Sequence, residues 1–90
     1  MNRNYISGRT KEYAVCKELR RQGAVFAQRT AGSHSPIDVV ALMPDGSVRL
    51  IQVKRSSYDP KAAEKLSALP HTEGVLIELW EWVRGAWQIS

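Results

Sequence analysis

The sequence predicts an α/β domain in which a mixed β-sheet of about five strands is flanked by two helices, all within one 90-residue domain. Three observations lead there. An early stretch with helical spacing of its apolar residues is closed by a glycine. Several short runs rich in Val, Ile, Leu, Phe and Trp are punctuated by Gly, Pro, Ser and Asp. An Asp-Pro pair opens a second helical stretch between the third and fourth of those runs.

The first helix is expected from about Ser7 to Gln22, with Ser7 as N-cap, Gly8 a poor but tolerated first-turn residue and Gly23 as the stop. Val15, Cys16 and Leu19 fall on one stripe, away from Lys11, Lys17, Glu18, Arg20 and Arg21. Glu12 stands on the apolar stripe, where a carboxylate is costly unless something positive receives it. The alternative is a frayed first turn in which Glu12 merely favours the helix N-terminus. "GAVFAQR" then reads as a strand and "TAGSHSP" as an irregular loop.

Ile37 to Leu42 and Val48 to Lys54 read as a β-hairpin. Pro44 opens its turn and Gly46 takes the left-handed position in a three-residue "PDG" loop. That loop places Asp38 opposite Gln52, and period-two alternation groups Asp38, Val40 and Leu42 with Val48, Leu50, Gln52 and Lys54. Three polar groups thus share one end of a face that should be apolar. Asp59 and Pro60 suit the N-cap and first position of a second helix, whose buried stripe is Ala62, Ala63, Leu66 and Leu69 and which Pro70 ends. "GVLIELWEWVRGAWQIS" reads as two strands around a turn at Arg84 and Gly85.

Composition narrows the function classes. No apolar run approaches the roughly 18 residues of a membrane span, and "MNRNYISGRTKEY" lacks the apolar segment of a secretory signal. The expectation is a soluble, intracellular, cytoplasmic protein with no membrane partner. Cys16 is the only cysteine, which excludes a disulfide framework and a thiolate metal cluster. Lys and Arg number 13 against 9 acidic residues and crowd into the first 65 positions, so a polyanion is the natural partner.

The polar cluster suits phosphodiester hydrolysis, which needs an activated water, neutralised phosphate charge and help for the leaving oxygen. Mg²⁺, with Mn²⁺ able to substitute, is the expected cofactor, since it supplies much of this when oxygen ligands hold it. Asp38 can ligate the ion, Val53 can offer its backbone carbonyl, Glu12 can close the site from the helix, and Lys54 can orient or deprotonate the attacking water.

Asp38, then "Q52-V53-K54", with Glu12 upstream, resembles the PD-(D/E)xK nuclease superfamily. The wider match is to archaeal-type Holliday junction resolvases, whose order of motifs is met by "GRTKEYAVCKELRRQGAVFAQRTAGSHSPIDVVA", "LIQVK" and "VRGAWQIS". The resemblance implies a restriction-endonuclease-like fold and a metal-dependent endonuclease acting on branched DNA such as four-way junctions. It places Glu12, Asp38, Gln52 and Lys54 in the active centre, Glu12, Asp38, Gln52 and Val53 around the metal, Arg29 at a phosphate, and Ser33 beside the scissile strand. Arg9 and Arg55 are further DNA-binding candidates on charge. Gln52 stands where those resolvases usually carry Glu, removing one negative charge from the metal site, although Mrr-like restriction enzymes also carry Gln there. The segment between Lys54 and Asp59 is shorter than in typical archaeal resolvases. Alternatives are a nuclease of the same superfamily acting on ordinary DNA, and a catalytically weak DNA-binding module. A homodimer is expected, because resolving a junction takes two nicks and Trp80, Trp82 and Trp87 crowd into one short stretch as candidate interface aromatics.

Overall fold

Helix α1 (Arg3–Arg21) leads into strand β1 (Phe26–Arg29) and the hairpin of β2 (Val39–Leu42) and β3 (Val48–Arg55). Helix α2 (Pro60–Ser67) then crosses to β4 (Val75–Val83), which turns back into β5 (Ala86–Ile89). The computed structural model describes residues 3–30, 35–55 and 60–90. The five strands form one mixed sheet in the order β1-β2-β3-β4-β5, antiparallel throughout except for the parallel β3–β4 pair that α2 connects. Among the described residues, no helix is long and apolar enough to cross a membrane.

Helix α1 begins at Arg3, ahead of Ser7, so Ser7 is an interior residue and not the N-cap. Nothing in Arg3 to Ile6 breaks a helix, and Gly8 costs only about 1 kcal/mol relative to Ala. Gly23 ends the helix as expected, at φ 98°. Its N–H donates to the Arg20 carbonyl (2.9 Å) and the Ala24 N–H to that of Leu19 (3.0 Å), the paired bonds of a Schellman cap.

The hairpin register also follows from its turn. Gly46 sits at φ 88°, its N–H donates to the Met43 carbonyl (2.9 Å), and Met43 N–H donates to the Ser47 carbonyl (2.9 Å). Pairing then runs Leu42↔Val48 to Val39↔Ile51, the register that puts Asp38 opposite Gln52. Arg84 and Gly85, at φ 51° and 82°, make the two-residue turn between β4 and β5. Helix α2 starts at Pro60; its expected cap, Asp59, lies outside the described residues, as does the Ala62 side chain.

A core lies on each face of the sheet. On one, Val15, Cys16 and Leu19 of α1 cover Ala27, Val39, Ala41, Ile51 and Trp80, with Val53 and Trp87 packed at its margin. On the other, Leu66 of α2 packs with Ile37 and Leu79, flanked by Leu50, Ala63, Leu69 and Ile77. Each large side chain buried this way stabilises the fold by about 1.5–3 kcal/mol.

Trp80 has 0% exposure, which corrects its assignment to an interface surface. The apolar stripe of α1 needs a broad floor, and the indole supplies it. Trp87 meets the rings of Trp80 and Trp82 edge-on, at centroid distances of 5.6 and 4.9 Å, and Lys11 Nζ stands 3.9 Å above the Trp82 ring. The aromatic cluster therefore belongs to the monomer core and its edge.

An unanticipated polar network crosses the same face. Arg49 grips Glu78 through Nε to both carboxylate oxygens (3.1 Å each) and Nη2 to Oε1 (2.7 Å). Trp80 Nε1–H donates to Glu78 Oε1 (2.8 Å) and Arg49 Nη1 donates to Gln22 Oε1 (3.1 Å). The two charged side chains are only 13% and 16% exposed. Removing one partner strands the other in a partly desolvated place. Glu78→Ala should therefore destabilise the domain by about 2 kcal/mol, and Arg49→Met with Glu78→Leu in the same chain by less; urea unfolding of the single and double variants measures the difference.

Candidate metal and nucleic-acid site

Strand β3 outruns β2. Beyond Ile51 its β2-facing edge has no strand partner among the described residues, and the sheet forks. Asp38 stands at that fork. Its N–H donates to the Ile51 carbonyl (2.8 Å) on the β3 side, where a regular ladder would aim it at β1, while its carbonyl still accepts the Thr30 N–H from beyond β1 (2.9 Å). The ladder slips here as in a β-bulge. Ile37 consequently turns into the α2-side core, whereas Val39 faces α1. The strict alternation expected for Asp38, Val40 and Leu42 ends at Asp38.

Asp38 Oδ2 accepts the Val53 N–H (2.8 Å), a backbone donor that the missing strand would otherwise have taken. Burial pushes the Asp38 carboxyl above the usual aspartate range; the Val53 hydrogen bond opposes this, the nearby charge of Glu12 reinforces it and Arg29 partly offsets it. Asp38 and Glu12 therefore lie within electrostatic reach of one another.

Glu12 does find the positive partner that its place on the apolar stripe demanded. Arg29 Nε donates to Glu12 Oε1 (2.8 Å), linking the middle of α1 to the end of β1. The guanidinium also lies 5.0 Å from the Tyr13 ring centroid, with Nη1 3.5 Å from the Tyr13 hydroxyl. This pair is legible in advance only as a need on the Glu12 side; the sequence does not single out Arg29 as its answer, and Tyr13 carries no signal.

Gln52 and Lys54 alternate with Ile51 and Val53 and share the face of Leu50, opposite Leu79 and Glu81 of β4 in the parallel register. They thus extend from the α2 face, while Glu12 and Arg29 occupy the α1 face. Period-two alternation groups Gln52 and Lys54 with Asp38 and lets Glu12 close the same end; the structure instead sets Glu12 and Gln52/Lys54 on either side of the open β3 edge. Gln52 Oε1 is buried and is the one such side-chain atom among the described residues without a hydrogen-bond partner. Lys54 is half-buried. Arg9 is exposed on α1, one helical turn before Glu12. Ser33 and the Arg55 side chain lie outside the described residues.

The donors at the fork are two carboxylates, the Val53 carbonyl and an unpartnered amide oxygen. All are hard oxygen donors, the kind that Mg²⁺ or Mn²⁺ takes. Two carboxylates within each other's field and an amide oxygen with no donor are both relieved by a cation. No group of three or more His, Cys, Asp or Glu residues suited to a metal occurs among the described residues, so a cation here would depend on amide, carbonyl or phosphate oxygens to complete its shell. A separate hollow of about 350 Å³ between α2 and β4, lined by Ala63, Leu66, Ile77 and Leu79, includes none of these donors.

No family model, curated protein or solved structure matches this chain.

Asp38 yields a stability prediction with a definite sign. A carboxyl whose pKa is higher folded than unfolded favours the folded state below the unfolded pKa and loses that advantage as pH rises through the folded value. At neutral pH the ionised Asp38 therefore works against the fold. Asp38→Asn, which keeps an acceptor for Val53 N–H, should raise the melting temperature at pH 7, and the gain over wild type should shrink as pH falls through the aspartate range. A thermal melt series across pH reads both.

Proposed function

We propose that this protein is a metal-dependent endodeoxyribonuclease of restriction-endonuclease-like fold, acting on branched DNA. The observation that carries the reading is Asp38 at the fork. Its carboxylate holds the backbone of Val53, between Gln52 and Lys54, and shares its electrostatic surroundings with Glu12. The order helix, three antiparallel-linked strands, helix and a fourth strand parallel to the third is compatible with that fold.

A bound Mg²⁺ or Mn²⁺ would supply Lewis-acid help to the phosphate and lower the pKa of the attacking water. Asp38, Glu12, the Gln52 amide oxygen and the Val53 carbonyl would hold it. Lys54 orients the water or takes its proton. Arg29, with Arg9 and Arg55, neutralises backbone phosphates, and Ser33 accompanies the strand to be cut. Because Gln52 adds no charge, DNA-free affinity for Mg²⁺ is expected to be weak. Gln52→Glu should strengthen it, as read by calorimetry; unchanged affinity would mean that Gln52 does not reach the cation.

A second reading, a DNA-binding module with little turnover, is favoured by two observations: Glu12 is already neutralised by Arg29, and Lys54 extends from the opposite face. One assay separates the two. Wild type, Lys54→Ala and Asp38→Asn are incubated with a labelled four-way junction and a matching linear duplex in Mg²⁺, Mn²⁺ or EDTA. The nuclease reading expects junction cleavage in either metal, none in EDTA, and losses of at least about 100-fold in both variants with affinity largely retained. Cleavage of linear duplex alone would point to an ordinary DNA nuclease, and binding without metal-dependent cleavage to the module. A two-fold assembly able to make paired nicks would have to use a surface that does not require Trp80.

A further inference from the structure

Two ion pairs that join different elements, Arg49–Glu78 and Arg29–Glu12, differ in build. Arg49 and Glu78 engage both carboxylate oxygens, recruit Gln22 and Trp80, and are 13% and 16% exposed. That pair is locked. Arg29 and Glu12 meet through Nε and Oε1 and are 29% and 23% exposed. Beside them the Tyr13 ring, 55% exposed as a residue, offers the guanidinium a second resting place.

The charges at the fork explain why the looser pair stands there. Glu12 and Asp38 are two carboxylates in a partly desolvated space, and Arg29 is the positive charge that offsets both. A divalent cation drawn to the same carboxylates would meet that guanidinium, and two cations at one carboxylate repel. A guanidinium freed from Glu12 is suited to bidentate contact with a phosphate.

From this we infer that Arg29 is a resident counter-ion, exchanged at Glu12 for a divalent cation, so that loading of the fork and release of the guanidinium to a DNA phosphate are a single coupled event. The inference rests on the cation-site reading above and adds a competition to it: Arg29 holds only Oε1 of Glu12, and a divalent cation arriving at the same carboxylate repels the guanidinium and weakens that ion pair. Linkage makes the coupling reciprocal, so the cation tightens phosphate binding by the factor by which phosphate tightens cation binding.

The test uses the full chain without DNA, titrated with Mn²⁺ by calorimetry. Arg29→Gln should bind Mn²⁺ about tenfold more tightly than wild type, a typical coupling, while Arg29→Lys, which retains the competing charge, should stay near wild type. A second measurement leaves Arg29 in place: in the cleavage-blocked Lys54→Ala chain, Mn²⁺ should tighten binding of a fluorescent linear duplex several-fold, and adding Arg29→Gln should abolish that gain. Arg29→Gln with wild-type melting temperature and no gain in Mn²⁺ affinity overturns the exchange, as does duplex affinity in Lys54→Ala that ignores Mn²⁺. If Lys54-dependent cleavage persists in either case, the exchange alone falls and the nuclease stands. If neither wild type nor Arg29→Gln binds Mn²⁺ and no DNA is cut, both fall together.

Discussion

An eight-residue strand laid beside a four-residue one leaves backbone groups without a ladder partner, and the rest of this molecule is arranged around that mismatch. On its β4 side β3 is fully matched, from Val48↔Val75 to Arg55↔Trp82. On its β2 side, pairing stops at Ile51, and the next outward-facing donor, Val53 N–H, is taken by the Asp38 side chain. A carboxylate is thereby drawn into the sheet at the cost of partial desolvation, which raises its pKa. The same slip connects the two cores, sending Ile37 to the α2 side and Val39 to the α1 side, with Asp38 between them.

The fork is also where the two faces of the sheet communicate. Elsewhere the paired strands separate α1 from α2. Past Ile51 there is an open edge, with Glu12 and Arg29 on one side and Gln52 and Lys54 on the other. Any chemistry that combines these residues has to work around that edge. The edge therefore has Arg29, held by Glu12, on its α1 side and Lys54 on its α2 side.

Charge on the α1 face is divided between architecture and exchange. Arg49 and Glu78 anchor the end near Gln22, where their bonds tie β3 and β4 to the helix C-terminus and satisfy the buried indole of Trp80. Arg29 and Glu12 lie toward the fork, where the pair is more open and its guanidinium rests on an exposed tyrosine ring. Both involve a carboxylate on an otherwise apolar stripe. They differ in how completely neighbouring residues use up the hydrogen-bonding capacity.

What the sequence determined by itself were features whose cause is local. Gly23 and Gly46 occupy positions of positive φ, the "PDG" loop sets the hairpin register, and Arg84-Gly85 turns the last pair of strands, because a few adjacent residues suffice to choose those backbone conformations. The element order and the need of Glu12 for a positive partner were legible for the same reason, since spacing alone puts a residue on a face. The partner itself, Arg29, was decided by tertiary structure, as were the burial of Trp80, the Arg49–Glu78–Trp80 network and the slip at Asp38. Each depends on which elements distant in sequence come to lie side by side: α1 choosing the odd-numbered face of β3, and β2 ending before β3 does. Period-two alternation specifies two faces but not which helix covers which, and it holds only while the ladder is unbroken. The candidate site lies where the ladder breaks, so its residue types could be read in advance while its two-sided geometry could not.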